Sequence, residues 1–184
     1  MFIYVVRTAT EDWLAKFFRD FRLDSPEYAA SKVASLSIIG AIGTVLAGLF
    51  SDKFFKGKRA PVNMIFLIGL LVSLIGFSVT PNTMERLDYI YAALIGFFTA
   101  GLQNLVGLQI VEIYVKEVAA AANGFAGMLS YFGATLSSIG TGFVIDRYSW
   151  NGAFKLWIIS NIIAIVLFMF ASIYENRVRS KANI

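Results

Sequence analysis

The stretch "VASLSIIGAIGTVLAGLFSDKFFKGKR", Val33 to Arg59, decides the fold. From Val33 to Phe50 it carries no charge. At ~1.5 Å of rise per residue, a helix of that length nearly crosses a hydrocarbon layer of ~30 Å. It then closes on Asp52, Lys53, Lys56, Lys58 and Arg59. Gly40, Gly43, Ala47 and Gly48 recur at helical spacing, and small residues let membrane helices approach closely. An apolar, small-residue run ended by a basic loop reads as a membrane span.

Four further runs have the same character: Ala60 to Met84, Tyr89 to Val111, Val118 to Ile145 and Leu156 to Tyr174. Small residues recur again in "GFAGMLSYFGA", where close helix packing is again expected. No ten-residue alternation of apolar and polar residues is present, which argues against a β-barrel. The expected organisation is one transmembrane helical domain over 1–184. Its full spans are expected at 30–50, 61–80, 88–114, 118–145 and 152–175. Phe2 to Asp20 is expected to be a sixth, truncated span, because only Phe2 to Val6 is cleanly apolar.

Composition agrees. The chain is 58% hydrophobic and 15% charged, with a mean hydropathy of +0.69, whereas soluble domains carry about 25% charged residues. The absence of cysteine excludes disulfides, thiol catalysis and thiolate metal sites. The absence of histidine removes the commonest general base and metal ligand. No phosphate-cradling glycine loop, acid/base pair or nucleophile constellation appears. The expectation is a protein that is not an enzyme, with no cofactor, no metal and, at a net charge of +4 spread over short loops, no nucleic acid partner.

Charge bias orients the spans. Lys53, Lys56, Lys58 and Arg59 fall on the same side as Lys116, Arg177, Arg179 and Lys181. The other side holds Arg19, Arg22, Arg86, Arg147 and Lys155. Basic residues favour the cytoplasmic side, so the loop 51–61 and the C-terminus are expected there. The loop "DRYSWNGAF" is then expected outside, with Tyr148 and Trp150 at the membrane interface. "GLFSDK" (Gly48 to Lys53) and "GFVIDR" (Gly142 to Arg147) share the form G-x-x-x-D-[KR], three spans apart. An inverted-topology repeat would place them at opposite faces; chance is the alternative. Asp146 and Arg147 are the second copy's charged pair.

"GLFSDKFFKGKR" resembles the loop signature of the major facilitator superfamily, one residue longer than usual. "FIYVVRTATEDW", "GLQIVEIYVKEVAAAANGFAGMLSYFGA" and "GFVIDRYSWNGAF" look like the C-terminal half of its organophosphate:phosphate antiporter family, and the resemblance covers essentially the whole chain. The most specific pieces are Tyr4 with Arg7, the pair Asp12–Trp13, and Ala122 to Tyr131. The resemblance implies the second six-helix half of a facilitator, its first helix truncated. It implies exchange of an organic phosphate, such as a sugar phosphate, for inorganic phosphate by alternating access in the bacterial inner membrane. It also implies an N-terminal six-helix half as partner, beside the lipid bilayer. By the same resemblance, Arg7 is a phosphate ligand at mid-membrane, and Tyr4 and Tyr131 are pocket residues. A family tyrosine near Ala100 is missing, which argues against glycerol 3-phosphate.

The residues themselves leave alternatives open. A mid-membrane arginine is costly and usually faces a cavity, and its guanidinium fork fits phosphate oxygens two at a time. The alternative for Arg7 is an ion pair with Glu11 one turn on, a position usually uncharged in the family. Gln103 and Asn104 could line a pocket or join helices. Tyr131 could be a buried tyrosine with a satisfied hydroxyl. Asp52, Lys53 and Arg59 are expected to form a charge network, with Glu112 tying its helix end to a neighbour. The alternatives to a transporter are a sugar-phosphate sensor of the same family and an inactive truncated gene product.

Overall fold

The computed structural model describes residues 2–81, 84–113 and 116–182, and at 113, 116 and 174–182 only the backbone. It is all-helical among these residues: α1 Phe2–Asp20, α2 Pro26–Phe55, α3 Arg59–Ser78, α4 Glu85–Ile113 and α5 Lys116–Ala182. Tyr114, the expected end of one span, lies outside the described residues. So do the side chains of Lys116, Arg177, Arg179 and Lys181, on which the charge count partly rested.

Among the described residues four helices are long and apolar enough to cross a membrane, α2 to α5. The last, at 67 residues, is about three times the ~20 residues a bilayer needs, and it is broken at Ser149 (φ 57, ψ −172). Arms 116–148 and 150–182 fold back on each other. Trp157 Nε1 donates to Thr141 Oγ1 at 3.2 Å, joining positions equally far from the break. The outer loop expected over "DRYSWNGAF" is therefore a single non-helical residue. Trp150, expected at the membrane interface, is buried against Phe17, ring centroids 5.2 Å apart, whereas Tyr148 is exposed.

α2 and α4 start earlier than the apolar runs suggested. Ser25 caps α2, its Oγ accepting from Tyr28 N, and Pro26 occupies the first turn, where a missing N–H costs nothing. The helices thus begin at Pro26 and Glu85, before the charged Lys32 and Asp88 at which the uncharged runs open. At its other end α2 stops where Lys56 and Gly57 both take positive φ.

α2 crosses α4 at glycines. A Cβ built on Gly96 would lie 2.0 Å from Leu36 O, and one on Gly43 would lie 2.3 Å from Phe97 O. Only backbone meeting backbone leaves that little room. Not every expected contact glycine works this way, since Gly48, Gly124 and Gly127 face open space. α1 packs along the first arm of α5: Ser137 Oγ donates to Val5 O at 2.7 Å, and Ser138 Oγ to Asp12 Oδ2 at 2.5 Å. Trp13 donates to Ser138 O at 3.2 Å and lies against Gly142. Phe17 anchors an aromatic cluster with Phe77, Trp150 and Phe154.

The bundle has two ends. The 51–59 loop, the α4 C-terminus and the start of α5 share one. The α1–α2 loop, the α4 N-terminus and the Ser149 break share the other. The two G-x-x-x-D-[KR] copies accordingly lie at opposite ends.

Candidate functional site

α1 buries Val6, Ala9, Leu14, Phe17 and Phe18 in the core and turns Tyr4, Arg7 and Glu11 to another side. Spacings of three and four residues put these last three on one face. They meet the middle of α4. Gln103 Oε1 accepts from Arg7 Nη1, and Gln103 Nε2 donates to Tyr4 OH at 2.9 Å. On the other flank Arg7 Nε donates to Glu11 Oε1 at 2.9 Å. One continuous chain therefore runs Glu11–Arg7–Gln103–Tyr4. Phe18 lies at the Lys32 end, and Arg7 is eleven residues back along the helix, roughly 16 Å at ~1.5 Å per residue. That distance is about half of a ~30 Å hydrocarbon layer.

These residues line an open-sided cavity of about 760 Å³ between α1, α2 and α4. Ser37 and Thr44 come from α2, and Thr99 and Asn104 from α4. Asn104 is half-buried and makes no hydrogen bond among the described residues, so its amide is left to the cavity. Arg7 and Glu11 are the charged members of the lining, with side chains 30% and 41% exposed. Arg7 Nη2 makes no hydrogen bond among the described residues. The lining combines one guanidinium and one carboxylate, Arg7 and Glu11, with neutral hydrogen-bonding groups on α2 and α4. Tyr131 is not among the lining residues: 67% exposed, it meets Tyr4 edge-on with centroids 5.8 Å apart.

Two charge networks close the ends. At one, Arg59 Nη1 holds Asp52 Oδ1 at 2.6 Å, while Nη2 and Nε grip the two oxygens of Glu112 at 2.9 and 3.2 Å. This ties the end of α2, the start of α3 and the end of α4. Lys53 stays outside the network, with Nζ 6.0 Å from the Phe54 ring centroid. In the second motif copy, Asp146 and Arg147 are exposed and form no ion pair among the described residues.

The other end holds a network that sequence reasoning missed. Lys32, 0% exposed, reaches Asp24 at 2.6 Å and Asp88 at 3.2 Å, and Asp88 also pairs with Arg22 at 2.9 Å. The Lys32 ammonium lies 4.9 Å from the Phe18 ring centroid. The available signal was a lone charge at the mouth of each of two apolar runs, on Lys32 and Asp88. Ser37, Thr44 and Asn123 in the cavity wall were missed as well, since single hydroxyls and amides in a span carry no distinguishing pattern.

Comparison with known proteins gives this arrangement a context. The family model described as Major Facilitator Superfamily matches residues 4–183. The chain is 38% identical over 169 residues to a "Probable hexose phosphate transport protein" of Chlamydia trachomatis, covering 91% of this chain and 37% of that one. It is 34% identical over 167 residues to the "Glycerol-3-phosphate transporter" of Bacillus subtilis, covering 90% and 38%. It is 36% identical over 152 residues to the "Membrane sensor protein UhpC" of Escherichia coli, covering 83% and 35%. The chain thus spans under two fifths of the length of these relatives.

Proposed function

This chain belongs to the Major Facilitator Superfamily, and within it to the organophosphate:phosphate antiporter family, and from that premise we propose that it forms the arginine-bearing wall of a sugar-phosphate transporter. The transporter exchanges its substrate for inorganic phosphate by alternating access. The opposite wall is an N-terminal six-helix half, which the open side of the cavity faces. The membrane is the bacterial inner membrane, with the Arg59 end and the C-terminus cytoplasmic.

The observation that carries this reading is Arg7, held at mid-depth by Gln103, which is itself bonded to Tyr4, and by Glu11, in a cavity otherwise lined by uncharged residues. Leaving those groups in lipid would be costly, so the cavity face is one that water or a second half covers. Hexose phosphates fit the wall, because hydroxyls need partners such as Asn104, Ser37 and Thr44. The test is counterflow of radiolabelled inorganic phosphate against glucose 6-phosphate in proteoliposomes holding this chain with an N-terminal half of a relative. Exchange that disappears in Arg7→Lys supports the proposal, because an ammonium cannot reproduce the guanidinium fork. Exchange indifferent to Arg7 overturns it.

The similarity to a membrane sensor supports a second reading, in which the same cavity binds sugar phosphate without net flux. Saturable glucose 6-phosphate binding without counterflow in the same vesicles would favour it.

A further inference from the structure

Glu11 stands where an anion would. Its Oε1 holds Arg7 Nε at 2.9 Å, and Gln103 Oε1 holds Nη1. A phosphate gripping a guanidinium two oxygens at a time needs two adjacent N–H groups. Nε, whose single N–H is taken by the carboxylate, cannot join Nη2 in a two-point grip, and Nη1 shares its two N–H groups with an amide, so each two-nitrogen edge of the fork includes an engaged nitrogen. Among the described residues no other charge lines the cavity: α2 and α4 present Ser37, Thr44, Thr99, Gln103 and Asn104, and α5 presents Asn123. On α1 itself, Asp12 is turned to Ser138 and Lys16 lies over Trp13. Among the described residues the wall therefore has one positive and one negative charge, which cancel.

We infer that Glu11 is an affinity-setting residue, an internal carboxylate that occupies the Arg7 guanidinium in the empty site and competes with an incoming phosphate for it. The inference rests on the reading of Arg7 as an anion ligand. The amide of Gln103 is the easier partner to displace, since it is neutral. The carboxylate remains within a helical turn of the bound phosphate even when its hydrogen bond is broken, and it repels it. Across a water-accessible cavity, that repulsion and the broken pair together weaken phosphate binding by about tenfold. In return Glu11 spares the site an uncompensated cation while it is empty.

The test is equilibrium binding of radiolabelled inorganic phosphate to the full chain in lipid nanodiscs, for the unsubstituted protein, Glu11→Gln and Arg7→Ala. Equal helix content and melting temperature across the three exclude a folding defect. The expected result is binding about tenfold tighter in Glu11→Gln and lost in Arg7→Ala. Binding in Glu11→Gln that is unchanged or weaker, with Arg7→Ala still inactive, overturns the inference and leaves the anion site standing. Binding indifferent to Arg7→Ala, or absent from all three proteins, overturns the inference and the anion site together.

Discussion

Lys32 shows how much a single side chain can hide. Its ammonium is wholly buried, reaches two carboxylates, and shares one of them with Arg22. Removing one member of such a group strands a buried charge, at a cost of about 3–5 kcal/mol. Asp88→Asn is therefore expected to lower thermal stability in detergent sharply, measured by loss of helical signal on heating. Asp146→Asn, on an exposed carboxylate with no ion pair among the described residues, should leave the melt unchanged. Ser149 makes the opposite case. Its φ of 57 with ψ −172 falls in a region that only glycine occupies without strain. Ser149→Gly should raise stability by about 1 kcal/mol in the same assay, while Ser149→Ala, which keeps the Cβ, should not.

Between elements, the decisive contact is the α2–α4 crossing. Gly96 touches Leu36 and Gly43 touches Phe97, backbone against backbone, so nothing flexible can yield to an added methyl. Gly96→Ala is expected to destabilise by about 1–3 kcal/mol or to force the helices apart. Gly107→Ala, on the same helix with nothing within 4 Å of the new Cβ, is expected to be silent. Chemical unfolding of the two variants side by side checks this. The crossing also sets the site, because Gly40, Gly96 and Thr99 lie in the cavity wall between Ser37 and Gln103. Splaying α2 from α4 should thus weaken phosphate binding as well as stability. Sequence spacing found the α2 glycines of this contact. It gave equal weight to Gly48, Gly124 and Gly127, which meet nothing, because spacing marks a face without saying which neighbour covers it.

Across the whole molecule, the two charge networks sit at opposite ends of the bundle, with the cavity between them. Arg59 joins α2, α3 and α4 at one end, while Lys32 and Asp88 join α2 and α4 at the other. With no native cysteine in the chain, sidedness can be read cleanly. Lys58→Cys is expected to react with a membrane-impermeant maleimide only from the cytoplasmic side, and Arg86→Cys only from outside; the reverse pattern would overturn the proposed orientation.

By itself the sequence determined the helical membrane class, the approximate course of the spans and the family; it singled out Arg7, Gln103 and Asn104 but left open what each of them meets. Each of these follows from a local pattern: uncharged length, small-residue spacing, or a motif within one helix. What only the tertiary structure decided was who meets whom. Helices α2 and α4 extend past their charges because Lys32, Asp88, Asp24 and Arg22 neutralise one another from three separate segments. The last two spans are one helix broken at Ser149, because Trp150, Phe154 and Trp157 pack back into the core, two of them on Phe17. Charge pairing and aromatic packing act between residues far apart in the chain, and periodicity along one segment carries no record of them.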